Sequence, residues 1–182
     1  MKLDPIAECA QCGKPFVRRS TLHRVCSPRC AVKSVRAQRK AERADTKRRK
    51  EAAKTRSQWL KEAQSAFNAF IRTRDQHQPC ICCGQWSSGE SRGGDWDAGH
   101  YRSTGSAPHM RFDERNCHRQ LKRCNRYGAG RAVDYRIGLI ARIGLAAVEA
   151  IEADQTLRKY TSDQLRAIRD DYRARLKAIT WA

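Results

Sequence analysis

The spacing of the cysteines restricts the fold of this chain more than any other feature. Nine cysteines occur in 182 residues, and they fall into two groups that contain pairs separated by two or three residues. Zinc is held tetrahedrally by thiolates that short turns deliver in pairs, so this spacing predicts two structural zinc sites. Because 31% of the residues are charged, apolar material for a core is limited, and bound zinc would supply stability that the core lacks.

The first group defines a predicted zinc-binding module over residues 1–30. It consists of Cys9-x2-Cys12 followed by Cys26-x3-Cys30, and two such knuckles together supply four thiolates. His23 lies between the knuckles and is an alternative ligand, although a surface position suits it better. We therefore predict one zinc ion held by these four cysteines.

Residues 31–76 are predicted to form a basic helical arm. No glycine or proline interrupts the chain between Ala31 and Thr73, and a single helix of about 43 residues would extend ~65 Å. Only its second part has an apolar face, which predicts packing against a core there. That face comprises Trp59, Ala63, Ala66, Phe67, Phe70 and Ile71.

A formal charge of +19 favours a polyanionic partner, with nucleic acid first and an anionic membrane surface second. Charges surround the first part of the arm, which favours attraction to DNA phosphates over sequence reading, the alternative being a solvated helix or tether. No apolar run approaches the length of a membrane span, so a cytoplasmic protein is expected. Predicted DNA contacts are Lys33, Arg36, Arg39, Lys40, Arg43, Lys47, Arg48, Arg49, Lys50, Arg102, Arg111, Arg119, Lys122 and Arg123.

Residues 77–130 combine the second cysteine group with polar residues suited to phosphodiester hydrolysis. Such hydrolysis needs an activated water and a cation near the scissile phosphate. His100 is the candidate general base. Asn116 is suited to holding the loop that orients His100, and Asn125 is suited to offering an amide oxygen to a divalent ion.

The rest of the chain predicts a glycine-rich loop over residues 84–99 and helices over residues 131–182. One helical face contains Val133, Ile137, Ile140, Ala147, Val148 and Ile151, and another contains Leu165, Ile168, Tyr172, Leu176 and Ile179. Thr161 and Gln164 have the spacing of a capping box that would begin the last helix. These helices are expected to pack on the preceding segment.

The order of these residues resembles the HNH, or ββα-metal, endonuclease superfamily in its HNN form, with His100, Asn116 and Asn125 at the three signature positions. The runs AGHYRSTGSAPHMRFDERNCHRQLKRCN, CSPRC and YRIGLIARIGLAAVEAIE are similar to phage NinG, or Rap, recombination proteins. That resemblance implies a phage-encoded, structure-specific endonuclease in the bacterial host cytoplasm. Its substrates would be Holliday junctions and strand-invasion loops, its products would carry 5′-phosphate and 3′-hydroxyl ends, and a structural zinc would join the hairpin to the helix.

Two positions depart from the superfamily pattern. Leu121 stands where a second CxxC pair would begin, so Cys80, Cys83 and Cys124 require a fourth zinc ligand. Cys117 is the leading candidate, followed by His118 and Cys82, and a site with three protein ligands stays open. Gly99 stands where many members have a metal-binding acid immediately before the histidine, and Asp97 is the substitute that the sequence offers.

The sequence therefore predicts a mostly helical α+β protein with two structural Zn²⁺ ions and a catalytic Mg²⁺ or Mn²⁺. Branched DNA is the expected partner, and a homodimer would supply two sites for paired cuts. Two other classes are compatible with the charge and the cysteines. One is a non-catalytic zinc-finger protein that binds or organises DNA, and the other is an RNA-binding or ribosome-associated zinc protein.

Overall fold

A computed structural model describes residues 6–89 and 94–180. The first five residues of the predicted zinc module and residues 90–93 of the predicted glycine-rich loop, including Gly93, lie outside this description. The chain divides into two compact units between Lys54 and Thr55. Within the described residues, no helix is both long and apolar enough to span a membrane.

The N-terminal unit combines a small hairpin with a solvated helix. Strands β1 (Ile6–Glu8) and β2 (Pro15–Val17) pair antiparallel, and helix α1 covers Pro28–Ala52. Helix α1 begins inside the second cysteine knuckle, where the Ser27 side chain accepts a hydrogen bond from the Cys30 backbone N–H at 3.3 Å. No residue of α1 is buried, so this helix presents an exposed and strongly basic surface.

The arm is helical but is not one uninterrupted helix. Helix α1 ends at Ala52, and a second helix, α2, covers Arg56–Arg74. Thr55 forms a capping box: its hydroxyl accepts from the Gln58 backbone N–H at 3.3 Å, and the Gln58 side chain accepts from the Thr55 N–H at 2.7 Å. This reciprocal pair satisfies free backbone groups and favours a new helix start over continuation.

A second hairpin forms the centre of the C-terminal unit. Strands β3 (Trp96–His100) and β4 (Cys117–Leu121) pair antiparallel, so that Asp97 faces Gln120 and His100 faces Cys117. A short 3₁₀ turn lies between them at Pro108–Met110, and one turn of π-helix follows at Arg123–Tyr127. Strand alternation gives this hairpin two chemically different faces.

Helices α3 (Ala132–Ile143) and α4 (Leu145–Ala153) cover part of this hairpin, but the predicted apolar face of α3 is wrong. Tyr135 and Leu139 are buried, whereas Val133 and Ile137 are 76% and 64% exposed. The cause is Gly138, where a Cβ atom would lie 1.8 Å from the Ile81 carbonyl oxygen. Close approach of the backbones is possible only with glycine there, and it turns the neighbouring Tyr135 and Leu139 inward.

Helix α5 (Ser162–Thr180) packs along α2 and completes the core. The predicted apolar face of α2 is confirmed, since all six of its residues are buried. The rings of Phe67 and Tyr172 lie 5.0 Å apart, and Arg169 bonds to Glu62 at 2.8 Å. The predicted capping box at Thr161 and Gln164 is also present, with hydrogen bonds of 3.2 and 3.0 Å.

Candidate functional site

The first cysteine cluster has the composition that the sequence predicts. The sulfur atoms of Cys9, Cys12, Cys26 and Cys30 all lie within 4.8 Å of one another. The Cys26 backbone N–H donates to Cys9 Sγ at 3.3 Å, an interaction that favours a thiolate. His23 takes no part, because its Nδ1 accepts from the Arg19 N–H at 3.3 Å and its ring packs against Phe16. The four sulfur atoms could hold one tetrahedral zinc ion.

The second cluster contains Cys80, Cys82, Cys83 and Cys124, whose sulfur atoms also lie within 4.8 Å of one another. Its sulfur atoms pair at 3.6 Å, Cys80 with Cys82 and Cys83 with Cys124. The neighbouring Cys82 thiol, aided by backbone N–H donors and opposed by burial, lowers the pKa of Cys80 to about 4. These four residues could hold a second zinc ion, with Cys82 supplying the thiolate that Leu121 lacks.

The structure corrects the leading interpretation from the sequence, because Cys117 lies outside this cysteine cluster and Cys82 lies within it. Cys117 lies opposite His100 on the hairpin face that packs against α2, and burial raises the pKa of its thiol well above the usual value. His118 points to the opposite face, with its Nδ1 3.3 Å from a carboxylate oxygen of Asp75. Cys117 and His118 therefore lie outside the group of sulfur atoms that could hold the second zinc ion.

His100 lies at the end of β3 in a confined environment. Its Nε2 is 3.0 Å from the Arg111 carbonyl oxygen, its Nδ1 is 3.6 Å from Cys117 Sγ, and its ring centroid is 5.9 Å from that of Phe67. A carbonyl only accepts hydrogen bonds, so Nε2 carries the proton and Nδ1 has the lone pair. Burial lowers the pKa of His100, which keeps the imidazole neutral at pH 7 and suits a base.

Asn116 holds the loop that follows His100. Its Oδ1 accepts from the Arg102 N–H at 2.8 Å, and its Nδ2 donates to the carbonyl oxygens of Arg102 and Met110 at 3.0 and 3.3 Å. The side chain is fully buried. Three hydrogen bonds to backbone groups at both ends of the loop match the loop-holding role that the sequence suggested.

Asn125 contacts Asp97 on the other face of the hairpin. Asn125 Nδ2 donates to Asp97 Oδ2 at 3.0 Å, and the Arg126 guanidinium donates to both carboxylate oxygens at 2.7 and 2.8 Å. Burial would raise the pKa of Asp97, but the contacts with Arg126 and Asn125 lower it. A carboxylate beside an amide is a suitable donor set for a hydrated Mg²⁺ or Mn²⁺ ion, provided that Arg126 gives way.

Gly99 is explained by its neighbour across the hairpin. A Cβ atom at this position would lie 2.0 Å from Oε1 of Gln120, whose side chain fills the space. Gln120 is 1% exposed and donates from Nε2 to Cys82 Sγ at 3.4 Å and to the Gly130 carbonyl oxygen at 2.9 Å. Any acid at position 99 would have to displace this bridge to the second cysteine cluster.

The structure does not place all the predicted site residues in contact with one another. Asp97 and His100 are three positions apart in β3, so their side chains leave opposite faces. Among the described residues, no hydrogen bond or ion pair joins His100 to Asp97 or Asn125. The site consists of two halves, one on each face of a five-residue strand.

The predicted DNA-contacting residues have different surroundings. All those in α1 belong to a helix without buried residues, although Arg48 and Arg49 both pair with Asp45. Arg102 donates to the carbonyl oxygens of Ile151 and Asp154, so its guanidinium has a structural role. Other core cations are engaged locally: Arg119 lies 3.7 Å over the Trp96 ring, Arg123 bonds to Gln85 at 2.6 Å and Arg111 bonds to Gln64 at 3.0 Å.

Sequence reasoning missed a buried ionic cluster around Asp75. Asp75 is 5% exposed and accepts hydrogen bonds from the Arg74 guanidinium at 2.7 Å and the Arg119 backbone N–H at 3.0 Å. Burial opposes ionisation, but contacts with His118 and Arg74 hold the pKa of Asp75 well below its usual range. Aspartate is unfavourable at the C-terminal end of a helix, so the position of Asp75 after α2 was the one signal in the sequence that could have indicated this cluster.

Comparisons with known proteins give one consistent relationship. The family model described as "Bacteriophage Lambda NinG protein" matches residues 1–181. The chain is 44% identical over 173 residues to "Protein ninG" of Salmonella phage P22, covering 85% of this chain and 83% of that protein. It is 43% identical over 173 residues to "Protein ninG" of Escherichia phage lambda, covering 85% and 82%. No solved structure matches.

Proposed function

This chain belongs to the NinG protein family of bacteriophages, and from that membership we propose that it is a divalent-metal-dependent endonuclease of the HNH type. Its proposed substrates are branched DNA recombination intermediates, including Holliday junctions and strand-invasion loops. Its proposed place of action is the cytoplasm of the bacterial host. The branched substrate and the 5′-phosphate and 3′-hydroxyl products come from the family resemblance.

One observation carries the proposal. A hairpin and a following helical turn, joined by the second cysteine cluster, carry His100 at the end of the first strand, Asn116 just before the second and Asn125 in the turn. This is the chain order that the resemblance implies. The basic surface of α1 supports it, since a polyanionic substrate needs cations outside the cleavage site.

The residues have distinct tasks in the proposed reaction. His100 takes a proton from the attacking water through Nδ1 while the Arg111 carbonyl holds the other ring nitrogen, so the ring has to turn away from Cys117 first. Asn116 keeps the loop in place. Asp97 and Asn125 would hold the divalent cation, which would supply positive charge to neutralise the charge that develops on the phosphate.

A second candidate function is a non-catalytic zinc protein that binds branched DNA or RNA. Two observations favour it: both ring nitrogens of His100 already have partners, and Arg126 occupies both oxygens of Asp97. In a binding protein, these contacts would persist with nucleic acid bound. In a nuclease, substrate and cation have to replace them.

Cleavage of a synthetic four-way junction with and without Mg²⁺ or Mn²⁺ tests the proposal. Wild-type protein should cut only with the cation, and His100→Ala should abolish cutting while zinc content, thermal melting and junction binding persist. His77→Ala is the matched control, because His77 is an exposed histidine without an assigned role. Cutting by His100→Ala at the wild-type rate, or no cation-dependent cutting by the wild type, would favour the binding protein. Light scattering with and without the junction tests the proposed homodimer.

A further inference from the structure

Six of the seven residues that line a groove on the C-terminal unit have polar or basic side chains. Its volume is about 410 Å³, and its lining consists of Leu60, Lys61, Gln64, Ser65, Asn68, Arg72 and Arg111. No acidic residue lines it. We propose that this groove binds the phosphodiester backbone of DNA, an inference that rests on the proposed action on DNA.

The groove is built by one face of α2. Lys61, Ser65, Asn68 and Arg72 recur at helical spacing, and they lie opposite the apolar face that packs into the core. The only acid of α2, Glu62, is turned toward α5 by its ion pair with Arg169 at 2.8 Å. From Lys61 to Arg72 the helix rises about 16 Å. This length equals about five phosphates of one strand, counted at the 3.4 Å rise along the axis of duplex DNA.

The cations of the groove lack the carboxylates that neutralise cations elsewhere in this unit. Arg126, Arg136 and Arg175 pair with acids at 2.7 Å. In the part of the chain that the structure describes, Lys61, Arg72 and Arg111 form no ion pair. Three positive charges around one groove repel one another, so an anion that enters it is stabilised by all three.

The polar groups of the groove are oriented to donate. Gln64 Oε1 accepts from Arg111 Nη1 at 3.0 Å, and Gln64 Nε2 donates to Asn68 Oδ1 at 2.7 Å. In this chain of hydrogen bonds, both amide oxygens act as acceptors. The Asn68 Nδ2 hydrogens have no partner among the described residues. Phosphate oxygens only accept hydrogen bonds, so they complement these remaining donors.

Arg111 connects the groove to His100. Its guanidinium lines the groove, and its carbonyl oxygen contacts His100 Nε2 at 3.0 Å. Phe67 belongs to α2, and its ring packs on the His100 ring with 5.9 Å between the centroids. Arg111 therefore links the groove to the candidate base, whose ring packs on the apolar face of α2, and no contact in the groove reads a DNA sequence.

The test is the salt dependence of binding to a labelled four-way junction and a linear duplex, measured without a divalent cation. Lys61→Gln with Arg72→Gln should reduce the log–log slope by about 1.8 and weaken binding by about 60-fold at 0.1 M salt, for both DNAs. The matched control is Arg158→Gln with Lys159→Gln, which removes the same charge from exposed positions outside the groove. Zinc content and thermal melting should equal those of the wild type.

A second variant tests the groove independently, in case the double variant does not fold. Ser65 is exposed in the middle of the groove, so Ser65→Asp should weaken binding through repulsion of phosphate, whereas Ser65→Asn should not. Equal effects of groove and control pairs, unchanged binding by Ser65→Asp, or absence of DNA binding by the wild type would overturn the groove. Cleavage separates the two proposals, because a wild type that binds through the groove without cutting refutes only the nuclease.

Discussion

Replacing Asn116 by alanine should destabilise the C-terminal unit much more than replacing Asn125, although the sequence presents both as signature asparagines. Asn116→Ala removes three hydrogen bonds in a fully buried position and leaves the N–H and the carbonyl oxygen of Arg102 without these partners, whereas the Met110 carbonyl oxygen still accepts from the Asp113 N–H at 3.1 Å. An orphaned buried donor costs about 1–3 kcal/mol, and the Arg102 acceptor adds to this, so we expect a loss of about 2–4 kcal/mol.

Asn125→Ala provides the matched comparison. It removes one described hydrogen bond, to Asp97 at 3.0 Å, at a position that is only partly buried. We expect a loss of about 1 kcal/mol or less. Urea unfolding of both variants, with zinc content measured in parallel, checks the difference. If Asn116→Ala is as stable as Asn125→Ala, the loop does not depend on this side chain and the assigned role is wrong.

Three further predictions concern the cysteine cluster, the cation site and the packing of α3. Cys82→Ser should reduce bound zinc from about two ions per chain to about one, whereas Cys117→Ser should leave it unchanged; metal analysis showing the reverse would restore Cys117 as the ligand. Arg126→Gln should raise the pKa of Asp97, because the guanidinium helps to lower it. In the wild type, the stabilisation of the fold by ionised Asp97 is lost only as the pH falls below the ordinary carboxyl pKa of about 3.9. In the variant it should be lost at a higher pH than in the wild type. An NMR titration in which the Asp97 pKa is unchanged would contradict this. Gly138→Ala should destabilise by roughly 3 kcal/mol or more in urea unfolding, since its Cβ meets a backbone carbonyl that cannot move independently; wild-type stability would show that the helix shifts freely.

The sequence predicted those elements whose signals are local and unambiguous. The six buried residues of α2 follow from helical periodicity, and Thr161 with Gln164 marks the start of α5 by a capping box. The same reasoning applied to Thr55 and Gln58 would have found the break between α1 and α2. A region without glycine or proline was read as continuous, although a reciprocal cap can begin a new helix without either.

Features set by contacts between distant segments were not predictable in this way. Gln120, nearly forty residues later, donates a hydrogen bond to the sulfur of Cys82, a contact that the order of residues in the sequence does not reveal. The orientation of α3 depends on Gly138 meeting the Ile81 carbonyl. Periodicity specifies that one face is apolar, but it does not reveal which backbone approaches so closely that only glycine fits.

The pairing of α2 with α5 also determines when, during synthesis, the surroundings of His100 are complete. The two helices are the first and last of the C-terminal unit, and their contacts join residues as far apart as Glu62 and Arg169. During synthesis at about 5–20 residues per second, the apolar face of α2 waits roughly 5–20 s for its partner to emerge. His100 packs on Phe67 of that same face. A chain that ends before α5 would therefore lack the helix that packs on Phe67, and the surroundings of His100 would be incomplete.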